Sequence, residues 1–231
     1  MAPRLGNGYL QAIKLMAGFV EAKDRYTGAH VERVMEISIR IAQCMGLTPK
    51  ELELIRLGSI LHDIGKIGIS DDILNKEDSL TQDELERMKQ HVEIGVELVK
   101  NIPFLRPVIP IIRHHHERYD GSGYPDGLSG EAIPLSARIV AVADCFDALT
   151  SQRPYRKRLS QEQGLTFILQ ASGRQFDPEI AIVFKTVWAE MISEKPADEM
   201  VSNSLLSTVD RENKLSQVKN RSLRKGRLPP T

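Results

Sequence analysis

The side chains best suited to chemistry in this 231-residue sequence are six histidines: His30, His62, His91, His114, His115 and His116. His62 and Asp63 are adjacent within Ile60-Leu-His-Asp-Ile-Gly-Lys66, so an imidazole and a carboxylate leave an apolar helix together, with Lys66 one turn further on. Asp144 stands inside the apolar run Ile139-Val-Ala-Val-Ala-Asp-Cys-Phe146. An ionised carboxylate in such a helix is costly unless it is paired or bound to metal. Alone, His30 or His91 reads as a hydrogen-bonded core residue. Together, five histidines (His30, His62, His91, His115, His116) with Asp63 and Asp144 suffice for a two-metal centre if one carboxylate bridges. Imidazole with carboxylate suits Fe, Mn, Zn or Co better than Ca or Mg, and the lack of thiolates speaks against a closed structural zinc site. A bridging water activated by two cations is a hydroxide at neutral pH, and paired metals stabilise both oxygens of an in-line displacement at phosphorus. The chemistry indicated is phosphoester hydrolysis.

Rival chemistries fail on spacing. Gly65-Lys66 is followed by Ile67, and Ile60 stands where a phosphate-binding P-loop needs its first glycine. Gly121-Ser122-Gly123 is not a nucleophile elbow, and His-Glu-x-x-His is absent.

The elements that must position these residues are helices. Leu10, Ile13, Ala17 and Val20, then Val31, Val34, Ile37 and Ile41, recur at three- and four-residue steps. The same spacing predicts helices near 49–65, 81–100, 104–118, 135–151, 160–172 and 178–192, with Thr48-Pro49 and Asp177-Pro178 as starts. No segment alternates with period two, so the fold class expected is all-α, a multi-helix bundle around a metal centre. One segment, Tyr119 to Gly130, is rich in glycine and aspartate and must be an ordered or mobile loop. A long loop inside a compact domain points to function.

Composition sets the outer limits. With 31 basic and 31 acidic residues, 41% hydrophobic and 27% charged, the chain reads as a soluble globular protein. No apolar run approaches the roughly 20 residues of a membrane helix. No secretory signal is recognisable either, so a cytoplasmic location is expected. Cys44 and Cys145 read as small buried hydrophobes rather than reactive thiols. From Lys214 to the end there are six basic residues and no acidic ones. Residues 194–231 are therefore expected to be a solvated basic tail behind a domain at 8–193. Without interleaved aromatics, that tail does not read as a nucleic-acid arm.

His62-Asp63-Ile-Gly-Lys66, His115-His116-Glu117-Arg118, Asp120-Gly-Ser-Gly-Tyr-Pro125 and Ala143-Asp144 through Arg156 together resemble the HD-GYP domain, a branch of the HD superfamily of metal-dependent phosphohydrolases. The resemblance runs from about residue 8 to 190. It implies an HD-type helical bundle with a glycine-rich GYP loop. The implied activity is hydrolysis of cyclic di-GMP to pGpG, and in some members onward to GMP, in bacterial second-messenger signalling. It assigns metal ligation to His30, His62, Asp63, His91, His115, His116 and Asp144, with Asp63 bridging two divalent ions, Fe or Mn ahead of Zn or Co. Lys66 takes the role of binding the scissile phosphate or protonating the leaving oxygen, beside Asp63 in the catalytic set. Tyr124, Arg153 and Arg156 take the ligand's bases and phosphates, as ring stacking and guanidinium forks allow. Asp120 and Asp147 match residues that orient ligands or brace the loop, and His114 has no clear counterpart.

One departure matters: Tyr26 stands where relatives with a third metal carry glutamate, so two metals are expected and the step from pGpG to GMP is less so. The resemblance also implies a receiver, sensor or GGDEF-type regulatory partner, and a homodimer is compatible with it. With about eight residues before the first helix, the protein either acts alone or is a fragment whose regulator lies elsewhere. Two alternatives stay open: an HD phosphohydrolase acting on another nucleotide, and a signalling module that binds a cyclic dinucleotide or a partner without turnover.

Overall fold

The computed structural model describes residues 7–24, 30–151 and 158–194. Ten α-helices are described: α1 Asn7–Lys23, α2 His30–Cys44, α3 Pro49–Leu61, α4 Asp71–Leu74, α5 Gln82–Lys89, α6 His91–Val99, α7 Ile109–His114, α8 Leu135–Thr150, α9 Gln161–Gln170 and α10 Pro178–Ser193. Short 3-10 turns span Ile64–Gly68, Pro103–Val108 and Gly130–Ala132. Among the described residues there is no strand, only one isolated bridge between Ser172 and Phe176. The all-α expectation is met. No described helix is long and apolar enough to cross a membrane.

The chain divides into two units between Val187 and Trp188. Of the second, the described part is the end of α10 and Glu194. In the first, α2 packs on α3 and α8, and α6 packs on α7 and on the 3-10 turn Ile64–Gly68. Val34, Ile41, Ile55, Ile111, Ile112, Ile139 and Val140 are wholly buried where these elements meet. The periodicity of α2 is thus spent on the core, because Val34, Ile37 and Ile41 recur on one face.

Sequence-local signals set several helix starts. Thr48, Thr81 and Ser160 each form a capping box with the residue three positions on: Glu51, Glu84 and Gln163. Asp177 Oδ1 accepts from the Glu179 and Ile180 amides at 2.8 and 3.4 Å, while its other oxygen pairs with Arg138.

Two expected helices are divided, each for a physical reason. The stretch 81–100 breaks at Gln90: α5 buries no residue, whereas α6 buries His91, Val92, Gly95 and Val99. The stretch 104–118 becomes the 3-10 turn Pro103–Val108 followed by α7, since Pro103, Pro107 and Pro110 lack the amide hydrogens a continuous helix needs. The helix expected over 49–65 likewise ends at Leu61, and the chain turns at Asp63. The breaks after Leu61 and at Gln90 fall beside His62 and His91.

The loop from Tyr119 to Gly130 is ordered. The Tyr119 and Asp120 amides donate to the carbonyls of Gln175 and Arg174 at 3.2 and 2.7 Å, and Gly130 N donates to Tyr119 O at 2.9 Å. Asp120 Oδ1 accepts from Ser122 N and Oγ at 3.0 and 2.6 Å.

Candidate metal centre

A helix leaves the carbonyls of its last turn without amide partners. Three imidazoles use them. His62 Nδ1 donates to Ser59 O at 2.7 Å, His91 Nδ1 to Met88 O at 2.7 Å and His115 Nδ1 to Ile112 O at 3.0 Å. The acceptors lie in the last turns of α3, α5 and α7, which is why the breaks in those helices matter. A carbonyl can only accept, so the hydrogen sits on Nδ1 and the Nε2 lone pair points away from it. The Nε2 atoms of His62, His91 and His115 are buried and have no hydrogen-bond partner. His30 is fixed differently: its Nδ1 donates to Asp147 Oδ2 at 2.7 Å, and Arg33 holds the same carboxylate through Nε at 2.5 Å.

Those lone pairs converge on two carboxylates. Asp63 Oδ1 lies 3.4 Å from His91 Nε2 and 3.7 Å from His115 Nε2, while Oδ2 lies 3.4 Å from His62 Nε2. Asp144 Oδ1 is 3.5 Å from His30 Nε2 and 3.9 Å from His62 Nε2. Such separations are long for hydrogen bonds. They are close to the spacing of about 3.0–3.5 Å between neighbouring donors around an ion with ligand bonds of about 2.0–2.2 Å. The donors fall into two groups, Asp63 with His91, His115 and His116, and His30 with His62 and Asp144, each with atoms mutually within 4.8 Å. Asp63 presents one oxygen to each side, the geometry a bridge requires.

The electrostatics favour a cation here. Burial opposes ionisation of Asp63, but Lys66 and then His62 hold its carboxyl well below the ordinary range. Burial likewise works against protonating His62, yet the charges of Asp63 and Asp144 push it up to about 9. The field that draws a proton to His62 is the field an ion would feel. Burial takes His91 down to about 4, and burial with its neighbouring imidazoles takes His116 well below its usual value, so both are bases ready to ligate.

All seven residues expected as ligands are thus brought together. Lys66 Nζ sits 2.6 Å from Asp63 Oδ2 and 3.3 Å from Asp24 Oδ2. Asp24, buried at 5% exposure, escaped the sequence reading, since nothing in its local pattern marks it as reaching Lys66. The Tyr124 ring stacks on His116 with centroids 4.9 Å apart, and Lys89 Nζ lies 5.5 Å from the Tyr124 centroid. Arg153, Arg156 and Tyr26, and the tail beyond Glu194, lie outside the described residues.

Comparison with known proteins gives the family. The family profile described as HD domain matches residues 14–180. The chain belongs to the HD domain family. Its relatives lie in the HD-GYP branch that the motifs resemble. The chain is similar to the cyclic di-GMP phosphodiesterase response regulator RpfG of Xanthomonas campestris, 45% identical over 73% of this chain and 45% of that protein. It is 41% identical to the 3'3'-cGAMP-specific phosphodiesterase 2 of Vibrio cholerae, over 77% of this chain and 34% of that one. A cyclic di-GMP phosphodiesterase of Thermotoga maritima is 40% identical over 84% and 54% respectively. This HD-domain chain therefore spans about half or less of the length of those relatives. Among solved structures, the HDG"Y"P protein Bd1817 of Bdellovibrio bacteriovorus matches with a TM-score of 0.58 at 25% identity, over 68% of this chain and 51% of that one. The HD domain of PgpH from L. monocytogenes shares the fold with a TM-score of 0.54 at 20% identity, over 78% and 98%.

Proposed function

We propose that this chain is a metal-dependent phosphodiesterase that hydrolyses cyclic di-GMP to pGpG in the cytoplasm. The carrying observation is the convergence of three buried, partnerless Nε2 atoms with Asp63 and Asp144. Such donors suit two divalent ions, Fe or Mn ahead of Zn or Co. His91, His115, His116 and Asp63 would hold one ion, and His30, His62 and Asp144 the other, with Asp63 shared. Bound ions would supply charge stabilisation at phosphorus and a water acidic enough to attack at neutral pH.

The chain's own residues do the rest. Asp147 and the three helix-end carbonyls keep the imidazoles in the ligating tautomer. Lys66, held between Asp63 and Asp24, offers its ammonium to the scissile phosphate or its proton to the leaving oxygen. Tyr124, Arg153 and Arg156 bind the ligand's bases and phosphates in this reading. In this reading the catalytic domain spans 8–193 with 194–231 as an appendage, and regulation comes through a receiver, sensor or GGDEF-type partner.

The kinship with a 3'3'-cGAMP-specific enzyme favours a second reading with the same chemistry and one adenine in the substrate. Metal content and turnover of cyclic di-GMP, 3'3'-cGAMP and cyclic di-AMP, measured on one anaerobic sample with Fe(II) or Mn(II), decide between them. About two metals per chain with pGpG formed supports the first reading, and faster cleavage of 3'3'-cGAMP supports the second. Asp63→Ala is expected to lose metal loading and turnover together; an active variant would sink the dinuclear centre. Metal bound without cleavage of any cyclic dinucleotide leaves a binding module.

A further inference from the structure

His114 is the histidine that the proposed dinuclear centre leaves out. Its neighbours His115 and His116 join Asp63, whereas His114 Nδ1 lies 3.6 Å from Asp126 Oδ2 and 3.9 Å from Glu117 Oε1. Both distances exceed hydrogen-bond reach, and this Nδ1 is buried without a partner. Glu117 is only 4% exposed. Its Oε1 accepts the Asp126 amide at 2.7 Å, which leaves Oε2 buried with no partner. A buried orphan of this kind costs about 1–3 kcal/mol, and two side by side ask for a missing water or ion.

Charge favours an ion over a water. Arg113 grips Asp126 with Nε and Nη2 at 2.9 and 2.8 Å and reaches Glu93 Oε2 with Nη1 at 2.7 Å. The carboxylates of Glu93, Glu117 and Asp126 against one guanidinium leave a formal charge of about −2, and a ligating imidazole adds none. A single divalent cation balances that. The ligand atoms of His114, Glu117 and Asp126 lie within 4.8 Å of one another. One imidazole nitrogen with carboxylate oxygens suits a transition metal better than Mg or Ca, and zinc binds such a set more tightly than Mn or Fe(II).

We propose that His114, Glu117 and Asp126 form an accessory zinc-type cation site that ties the end of α7 to the 119–130 loop. Asp126 follows Tyr124-Pro125, so the ion braces the segment whose tyrosine lies on His116. The Arg113 fork acts as the outer support that ligating carboxylates usually have.

The test is the zinc content of the intact chain after equilibration with micromolar free Zn(II), read by mass spectrometry of the metal. It is done in an Asp63→Ala background, so that the accessory site is counted whether or not the dinuclear centre exists. Adding His114→Ala, or separately Asp126→Asn, is expected to remove about one zinc per chain. Zinc is also expected to slow amide hydrogen exchange in the 119–130 loop, and to lose that effect in both variants. Asp126→Asn keeps shape and exposure, and so decides the matter if His114→Ala fails to fold. An unchanged zinc count with Asp126→Asn overturns the site.

Discussion

The chemistry of single residues here is set by what each imidazole does with its far nitrogen. His62, His91 and His115 spend Nδ1 on helix-end carbonyls, and His30 spends it on Asp147. The fourth case is open to test because a side chain, not a backbone, holds the tautomer. Asp147→Ala should free His30 to rotate and change tautomer, lowering metal affinity about 10- to 100-fold. Competition against a chromophoric chelator measures it, and an unchanged affinity would show that Asp147 serves only Arg33 and Ser151. The histidines and their carboxylates were legible from type and spacing. Asp24 and the helix-end carbonyls were not, since a backbone carbonyl carries no sequence identity and Asp24 is 42 residues from Lys66.

At the scale of elements, the decisive contact is between the Ile64–Gly68 turn and α6. A Cβ on Gly65 would come within 1.8 Å of the His91 carbonyl oxygen and 2.5 Å of Gly95 N, so only glycine lets Asp63 approach His91. Gly65→Ala is expected to destabilise the fold by at least about 1–3 kcal/mol. It should also weaken metal binding, as read by chemical denaturation and by metal titration of the folded fraction. The start of α5 gives a pH test. The Lys76 contact and then the Thr81 amide hold the Glu84 carboxyl down at about 2, from an ordinary 4.5. A depressed carboxyl contributes stability above its unfolded pKa and loses it as pH falls through the folded value. The cap should therefore persist at pH 4 and fail near pH 2. Lys76→Met should move the Glu84 midpoint back toward 4.5 in a carboxyl-carbon NMR titration.

For the molecule as a whole, the candidate centre would draw its ligands from α2, α6 and α8 and from the chain just after α3 and α7. An ion there would join elements far apart in sequence and bind only the folded state. At a free concentration 100 times its dissociation constant, a metal adds about 2.7 kcal/mol. For a chain of this size that corresponds to about 5–11 °C in melting temperature. Chelation should lower the calorimetric midpoint by that amount, and readdition of Mn(II) should restore it. A midpoint indifferent to chelator would mean that the histidine cluster holds no ion.

By itself the sequence determined the all-α class, most helix starts, the residue types of the candidate ligands and the family. Those follow from 3.6-residue periodicity, capping residues and motif spacing, all local properties. Only the tertiary structure decided that 81–100 is two helices and that Asp63 turns one oxygen to each half of the centre. The same holds for His114, which parts from its two neighbours to face Glu117 and Asp126. These are matters of direction and of distance between remote segments, set when buried faces of α2, α3, α6, α7 and α8 pack together. A one-dimensional pattern names the donors; packing points their lone pairs.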